Sequence, residues 1–155
     1  MHSRLGKGIA IFGEIYAGFP NNIKWGTRMY ANTRELDCLI HSVVGAAYEV
    51  GNVLGPGFLE KVYERALMRE LLLRGLRVKS QASFPVAYKG QCVGEYMADL
   101  LVEEQLIVEL KCVDRFASEH LAQCINYLKA TGIKLALLIN FQKPRVEWKR
   151  IIYDP

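Results

Sequence analysis

The chain has 155 residues, 51% of them hydrophobic and 23% charged, the make-up of one ordinary globular domain with a full-sized core. No apolar run approaches the roughly 20 residues that a membrane-spanning helix needs, so no membrane association is expected. The net charge of +4 is no nucleic-acid signature either, because residues 1–33 hold Arg4, Lys7, Lys24 and Arg28 against Glu14, leaving +1 on the rest.

Residues 1–33 show no sustained period and a turn signal at Pro20-Asn21-Asn22. They read as an irregular N-terminal extension ahead of a domain over 34–155. Arg4 and Lys7 ahead of Gly8-Ile9-Ala10-Ile11-Phe12 faintly suggest a signal peptide, but Glu14 interrupts the run and no small-residue cleavage site follows. The expected location is the cytoplasm.

From Asn32, with Glu35 at capping-box spacing, Leu36, Leu39, Ile40, Val43, Val44 and Ala47 predict a helix that ends near Gly51. Gly55-Pro56-Gly57 breaks the chain. A second helix is predicted from about Phe58 to Arg74, with Phe58, Leu59, Val62, Ala66 and Leu72 on its core side and Gly75 as its stop. Strand-like runs follow at Ser83–Tyr88, Cys92–Val102 and Leu106–Val113. A third helix over about Ser118–Ala130 carries Leu121, Cys124, Ile125 and Leu128. Lys134–Asn140 reads as a strand and Val146–Tyr153 as a final edge strand. This order implies an α+β (α/β) sandwich, a mixed central sheet flanked by helices.

The four cysteines, Cys38, Cys92, Cys112 and Cys124, are scattered without a CxxC pair or a histidine cluster. They read as buried or half-buried free thiols, not as a zinc site or a disulfide framework.

The chemistry concentrates on Asp99 and on Ile107-Val108-Glu109-Leu110-Lys111. On a strand, Glu109 and Lys111 share a face. A three-residue loop, Glu103-Glu104-Gln105, would pair Val102 with Leu106 and so Asp99 with Glu109; a two-residue loop would part the carboxylates onto opposite faces. Two facing carboxylates repel, and their burial calls for a cation or a proton. Mg²⁺ or Mn²⁺ suits such oxygen ligands, and a metal-activated water can attack a phosphodiester. Lys111 can assist proton removal or stabilise the oxyanion. An acid-x-Lys pair alone usually marks a solvated strand face, but Leu106, Ile107, Val108, Leu110 and Cys112 make this strand read as central. Glu60 and Tyr63 share one face of the second helix, and His120, Gln123 and Tyr127 one face of the third. Gln123 and Tyr127 could hold a water or a phosphate over the site, and core packing with a satisfied hydroxyl is the alternative for both tyrosines.

Gly55-Pro56-Gly57-Phe58-Leu59-Glu60-Lys61-Val62-Tyr63, Ala98-Asp99-Leu100-Leu101-Val102, Val108-Glu109-Leu110-Lys111, Gln123-x-x-x-Tyr127-Leu128 and Leu138-Ile139-Asn140-Phe141 together resemble the GxxExxY protein family of the PD-(D/E)XK nuclease superfamily. The resemblance runs from about Leu36 to Ile152. It implies a restriction-endonuclease-like core with Asp99, Glu109 and the accessory Glu60 on the metal, Lys111 as catalytic lysine, and a RecB-like motif in Gln123 and Tyr127. Gly51 stands where many members of that family have histidine.

The implied activity is a Mg²⁺- or Mn²⁺-dependent nuclease acting on DNA or RNA. The alternative is a non-catalytic binding or assembly module that keeps the nuclease fold. A homodimer would let two subunits reach both strands of a duplex, although no stretch of sequence marks an interface.

Overall fold

The computed structural model describes residues 9–13 and 27–154, with side chains from residue 34 onward. The elements are β1 (Ile9–Gly13), α1 (Thr27–Leu54), α2 (Glu60–Leu73), β2 (Val78–Tyr88), β3 (Gln91–Val102), β4 (Leu106–Lys111), α3 (Ser118–Thr131), β5 (Leu135–Asn140) and β6 (Glu147–Tyr153). They form an α+β fold around one mixed sheet of order β1-β6-β5-β4-β3-β2. Among the described strands only β4 and β5 run parallel, joined by the α3 crossover.

β4 and β5 lie at the centre, covered on both faces. Every residue from Leu106 to Leu110 and from Leu135 to Asn140 is buried, which explains their continuous apolar runs. On one face Leu106, Val108, Leu110, Leu137 and Ile139 pack against Ile40, Val43 and Ala47 of α1 and Leu67 and Leu71 of α2. On the other, Ile107, Ala136, Leu138 and Ile151 pack against Cys124 and Leu128 of α3. Fully burying one such aliphatic side chain contributes about 1.5–3 kcal/mol.

The second helix ends as expected. Gly75 takes φ +80°, its N–H donates to the Leu72 carbonyl, and the Leu76 N–H reaches back to Leu71. That is a Schellman closure, which a side chain at Gly75 would strain.

Several expectations are corrected. The first helix begins at Thr27 and continues to Leu54, beyond both expected ends. On α2 the buried stripe is Tyr63, Glu64, Leu67 and Leu71, whereas Phe58, Leu59, Val62 and Leu72 are exposed. The 63-67-71 spacing follows one helical ridge, and the predicted set straddled its solvent side. β6 is not an edge strand, because Ile9–Gly13 pairs along its outer side. Of the cysteines, Cys124 is buried and Cys112 half-buried, but Cys38 and Cys92 are exposed, on α1 and near the β2–β3 turn.

Candidate active site

The β3–β4 turn has the odd length that brings the two carboxylates together. Val102 pairs with Leu106, Leu101 with Ile107 and Leu100 with Val108, a register that sets Asp99 opposite Glu109. The backbone ladder stops there and side chains replace it. Asp99 Oδ2 accepts the Leu110 N–H at 2.9 Å, and Glu109 Oε1 accepts the Asp99 N–H at 3.4 Å. Each acid is thus fixed by the backbone of the other acid's strand.

Asp99 also sits where the sheet changes face. Val78, Leu100 and Val102 belong to the core under α1 and α2, while Ala82, Phe84, Tyr96 and Ala98 belong to the core under α3. Residues two apart on a regular strand share a face, so β2 and β3 both reverse between these groups. The pivot is the Gln81–Asp99 position. The ladder pairs Ser80 with Leu100 and Ala82 with Ala98, and Gln81 takes φ +52°. For a non-glycine residue that left-handed conformation costs roughly 1–3 kcal/mol and persists only where its surroundings enforce it.

Those surroundings include Glu64. This buried α2 carboxylate accepts Ser80 Oγ at 2.9 Å, Gln81 Nε2 at 3.1 Å and Lys61 Nζ at 2.9 Å. Burial opposes its charge, yet Lys61, Gln81 and Ser80 together hold its carboxyl below the usual range. The same Gln81 amide stands 3.5 Å from Asp99 Oδ1, linking Glu64 to the site.

Glu109 is 6% exposed and lies on the α3 side of the sheet. Burial first and the Asp99 charge second push its carboxyl up to about 8, against a partly opposing hydrogen bond donated by the Tyr96 hydroxyl. The Tyr96 ring is stacked on Tyr127, with Phe84 on 6.2 Å centroid spacing. Burial and Glu109 raise the Tyr96 phenol well above its ordinary value. Cys124 lies in the same core, and burial followed by Glu109 pushes its thiol up to about 12, which makes it inert at neutral pH.

The other expected residues are placed as follows. Glu60, at the start of α2, is raised by burial and then by Asp99, with Lys111 partly offsetting this, so all three share one field. Lys111 is half-buried at the end of β4. Gln123 and the α2 residue Glu60 are both exposed. Tyr63 is buried, stacked on Phe141, and its hydroxyl donates to the Gly55 carbonyl at 2.5 Å while accepting the Phe58 N–H at 3.2 Å. It therefore fastens the Gly55–Phe58 loop from within the core. His120 caps α3 by accepting the Ala117 N–H at 3.1 Å. Gly51 leaves no room for the histidine of the resemblance, since a Cβ there would lie 2.5 Å from Val146 Cγ2.

Sequence reasoning missed Tyr96, Gln81 and Glu64. Glu64 follows Glu60 by one helical turn on the same face, a signal that was available. Tyr96 had none: on a regular strand it would face away from Asp99 and Glu109, and only the reversal at Asp99 brings it over Glu109.

Among the described residues no three His, Cys, Asp or Glu side chains are gathered so as to hold a metal ion, and Glu60 in particular is not drawn into one group with Asp99 and Glu109. The Asp99–Glu109 pair itself fits a hard divalent cation. Both donors are carboxylates, they repel each other, and among the described residues no Lys, Arg or His nitrogen lies within 4.0 Å of either. Among the described residues, no helix is long and apolar enough to cross a membrane.

Residues 37–151 match a family model described as the PD-(D/E)XK nuclease superfamily. Among solved structures, the crystal structure of LHK-Exo in complex with dAMP is similar at 14% identity and a TM-score of 0.43, over 70% of this chain and 76% of that one. No curated protein matches the chain.

Proposed function

The chain belongs to the PD-(D/E)XK nuclease superfamily, and we propose that it hydrolyses phosphodiester bonds of DNA or RNA with the help of Mg²⁺ or Mn²⁺. The observation that carries this is the Asp99–Glu109 pair, in which a buried carboxylate held up to about 8 faces a second acid with no cation of the described residues in ion-pair reach. Such a pair is costly in the bare protein and is relieved by a divalent ion. The GxxExxY family, with 34–155 as its functional unit, is the finer assignment we propose within the superfamily.

Asp99 and Glu109 would hold the ion, and Glu60, in the field of Asp99 and Lys111, would add a more distant acid. A bound ion supplies charge neutralisation at the phosphodiester and favours ionisation of the attacking water. Lys111 shares the Glu109 side of β4 and would stabilise the negative charge that develops on the phosphate. Gln123, exposed on α3, would contact the substrate from the crossover side.

The test is incubation of the purified chain with labelled single- and double-stranded DNA and RNA, with Mn²⁺ and with chelator. Metal-dependent cleavage that disappears in Asp99→Ala is expected. Absence of cleavage on every substrate, or cleavage that survives that substitution, overturns the proposal.

A further inference from the structure

We propose that Tyr96 is the positioning residue of the metal centre: its hydroxyl, held by the Phe84–Tyr96–Tyr127 stack, fixes the Glu109 carboxylate in the orientation that receives the ion. This rests on the metal-dependent reading given above and names a residue that none of the expected site positions include.

The geometry is specific. Glu109 Oε1 takes the Tyr96 hydroxyl on one side and the Asp99 N–H at 3.4 Å on the other. Two donors thus meet at Oε1 and hold that oxygen in place, while the Asp99 carboxyl lies against the same group. A carboxylate with two rotatable torsions beyond its Cβ would otherwise sample several orientations. Ordering it in advance lowers the entropic cost of binding the ion. Partners that orient a ligating side chain in this way typically contribute 10–100-fold to metal affinity.

The ring itself cannot drift. Tyr96 is 6% exposed, stacked on Tyr127 of α3 and beside its cross-strand partner Phe84 of β2. Tyr127 thus acts on the site through Tyr96. The arrangement also accounts for the strained backbone at Gln81, because without the reversal of β2 and β3 the Tyr96 side chain would point to the opposite face of the sheet.

Tyr96→Phe keeps the ring and its stacking and removes only the hydroxyl. Mn²⁺ binding is measured by titration calorimetry on the full chain and the variant, with the near-ultraviolet tyrosine difference spectrum followed on Mn²⁺ addition and melting in chelator as a check on folding. About tenfold weaker Mn²⁺ binding in the variant is expected, with loss of the tyrosine difference signal and a folded chelated protein. If Tyr96→Phe unfolds, Phe84→Leu, which loosens the stack and keeps the hydroxyl, is expected to weaken Mn²⁺ binding as well. Equal Mn²⁺ affinity in the full chain and these variants overturns the positioning role and leaves the metal-dependent reading standing. A full chain that binds no Mn²⁺ overturns both.

Discussion

The β3–β4 hairpin carries two pairs of acids, and they are treated in opposite ways. At its turn, Glu103 receives the Arg77 backbone N–H at 2.8 Å and the Arg77 guanidinium at 2.7 Å, and Glu104 receives Lys79 Nζ at 2.9 Å. Those contacts hold both carboxyls below the usual range. A few residues along the same strands, Asp99 and Glu109 face each other with no ion-pair contact to a cation among the described residues, and Glu109 is pushed up to about 8. Contact ion pairs thus serve the acids at the turn, half-buried Glu103 and exposed Glu104, whereas the buried pair is eased by the proton that Glu109 keeps up to about pH 8. On the function proposed above, a divalent ion bound there would take the place of that proton.

Removing one of the two inner acids tests this contrast hardest. Asp99→Asn is expected to lower Mn²⁺-dependent cleavage by about 100-fold or more, as measured by initial rates on a labelled oligonucleotide. It also returns the Glu109 carboxyl toward its ordinary range, visible by carboxyl NMR titration. An unchanged Glu109 titration would show that Asp99 is not its neighbour in solution.

The next effect is on stability. The native Glu109 pKa of about 8 lies above its ordinary 4.5, so between these values the folded chain keeps a proton that the unfolded chain has lost. The protonated group therefore supports the fold fully below pH 4.5, and that support is lost as pH rises through about 8. In chelator, Glu109→Gln is expected to be more stable than the parent at pH 9 by a few kcal/mol, on the order of 1.4 kcal/mol per pKa unit, with the gap closing near pH 4. Urea midpoints across pH check this, and a pH-independent gap would remove the electrostatic explanation.

Gln81→Ala keeps the left-handed backbone and deletes the amide bonded to Glu64, so a loss of roughly 1–3 kcal/mol is expected. Gln81→Gly relieves the φ and should lose less. If glycine is the worse of the two, strain is not what the position stores. The smallest change is expected at the turn. Glu104→Gln, exchanging an exposed ion pair with Lys79 for an exposed amide, should leave the melting temperature nearly unmoved and become indistinguishable from the parent in high salt.

How much of this was legible before the structure depends on the range of each signal. The apolar stripe of α1, the buried runs of β4 and β5 and the three-residue turn are local patterns, and each carried its own evidence. From the turn alone, the meeting of Asp99 with Glu109 followed by counting. The burial of α2 was misjudged because Phe58, Leu59, Val62 and Leu72 are as apolar as Leu67 and Leu71, and composition does not say which ridge meets the sheet. The Ile9–Gly13 strand was invisible because it exists only by pairing with β6, well over a hundred residues away. Tyr96 was the least legible of all, since its place beside Glu109 follows from a reversal of strand parity that no alternation of residue types announces.

That reversal has a bearing on solubility. Among the described residues β2 is an eleven-residue strand at the outer border of the sheet, the kind of element that recruits further chains into ordered aggregates. Its border is interrupted at Gln81 by the left-handed backbone and again at Pro85, which has no N–H to offer a newcomer. An incoming strand therefore finds no long, flat template, because the same backbone reversal that turns Tyr96 toward Glu109 also breaks the border of the sheet.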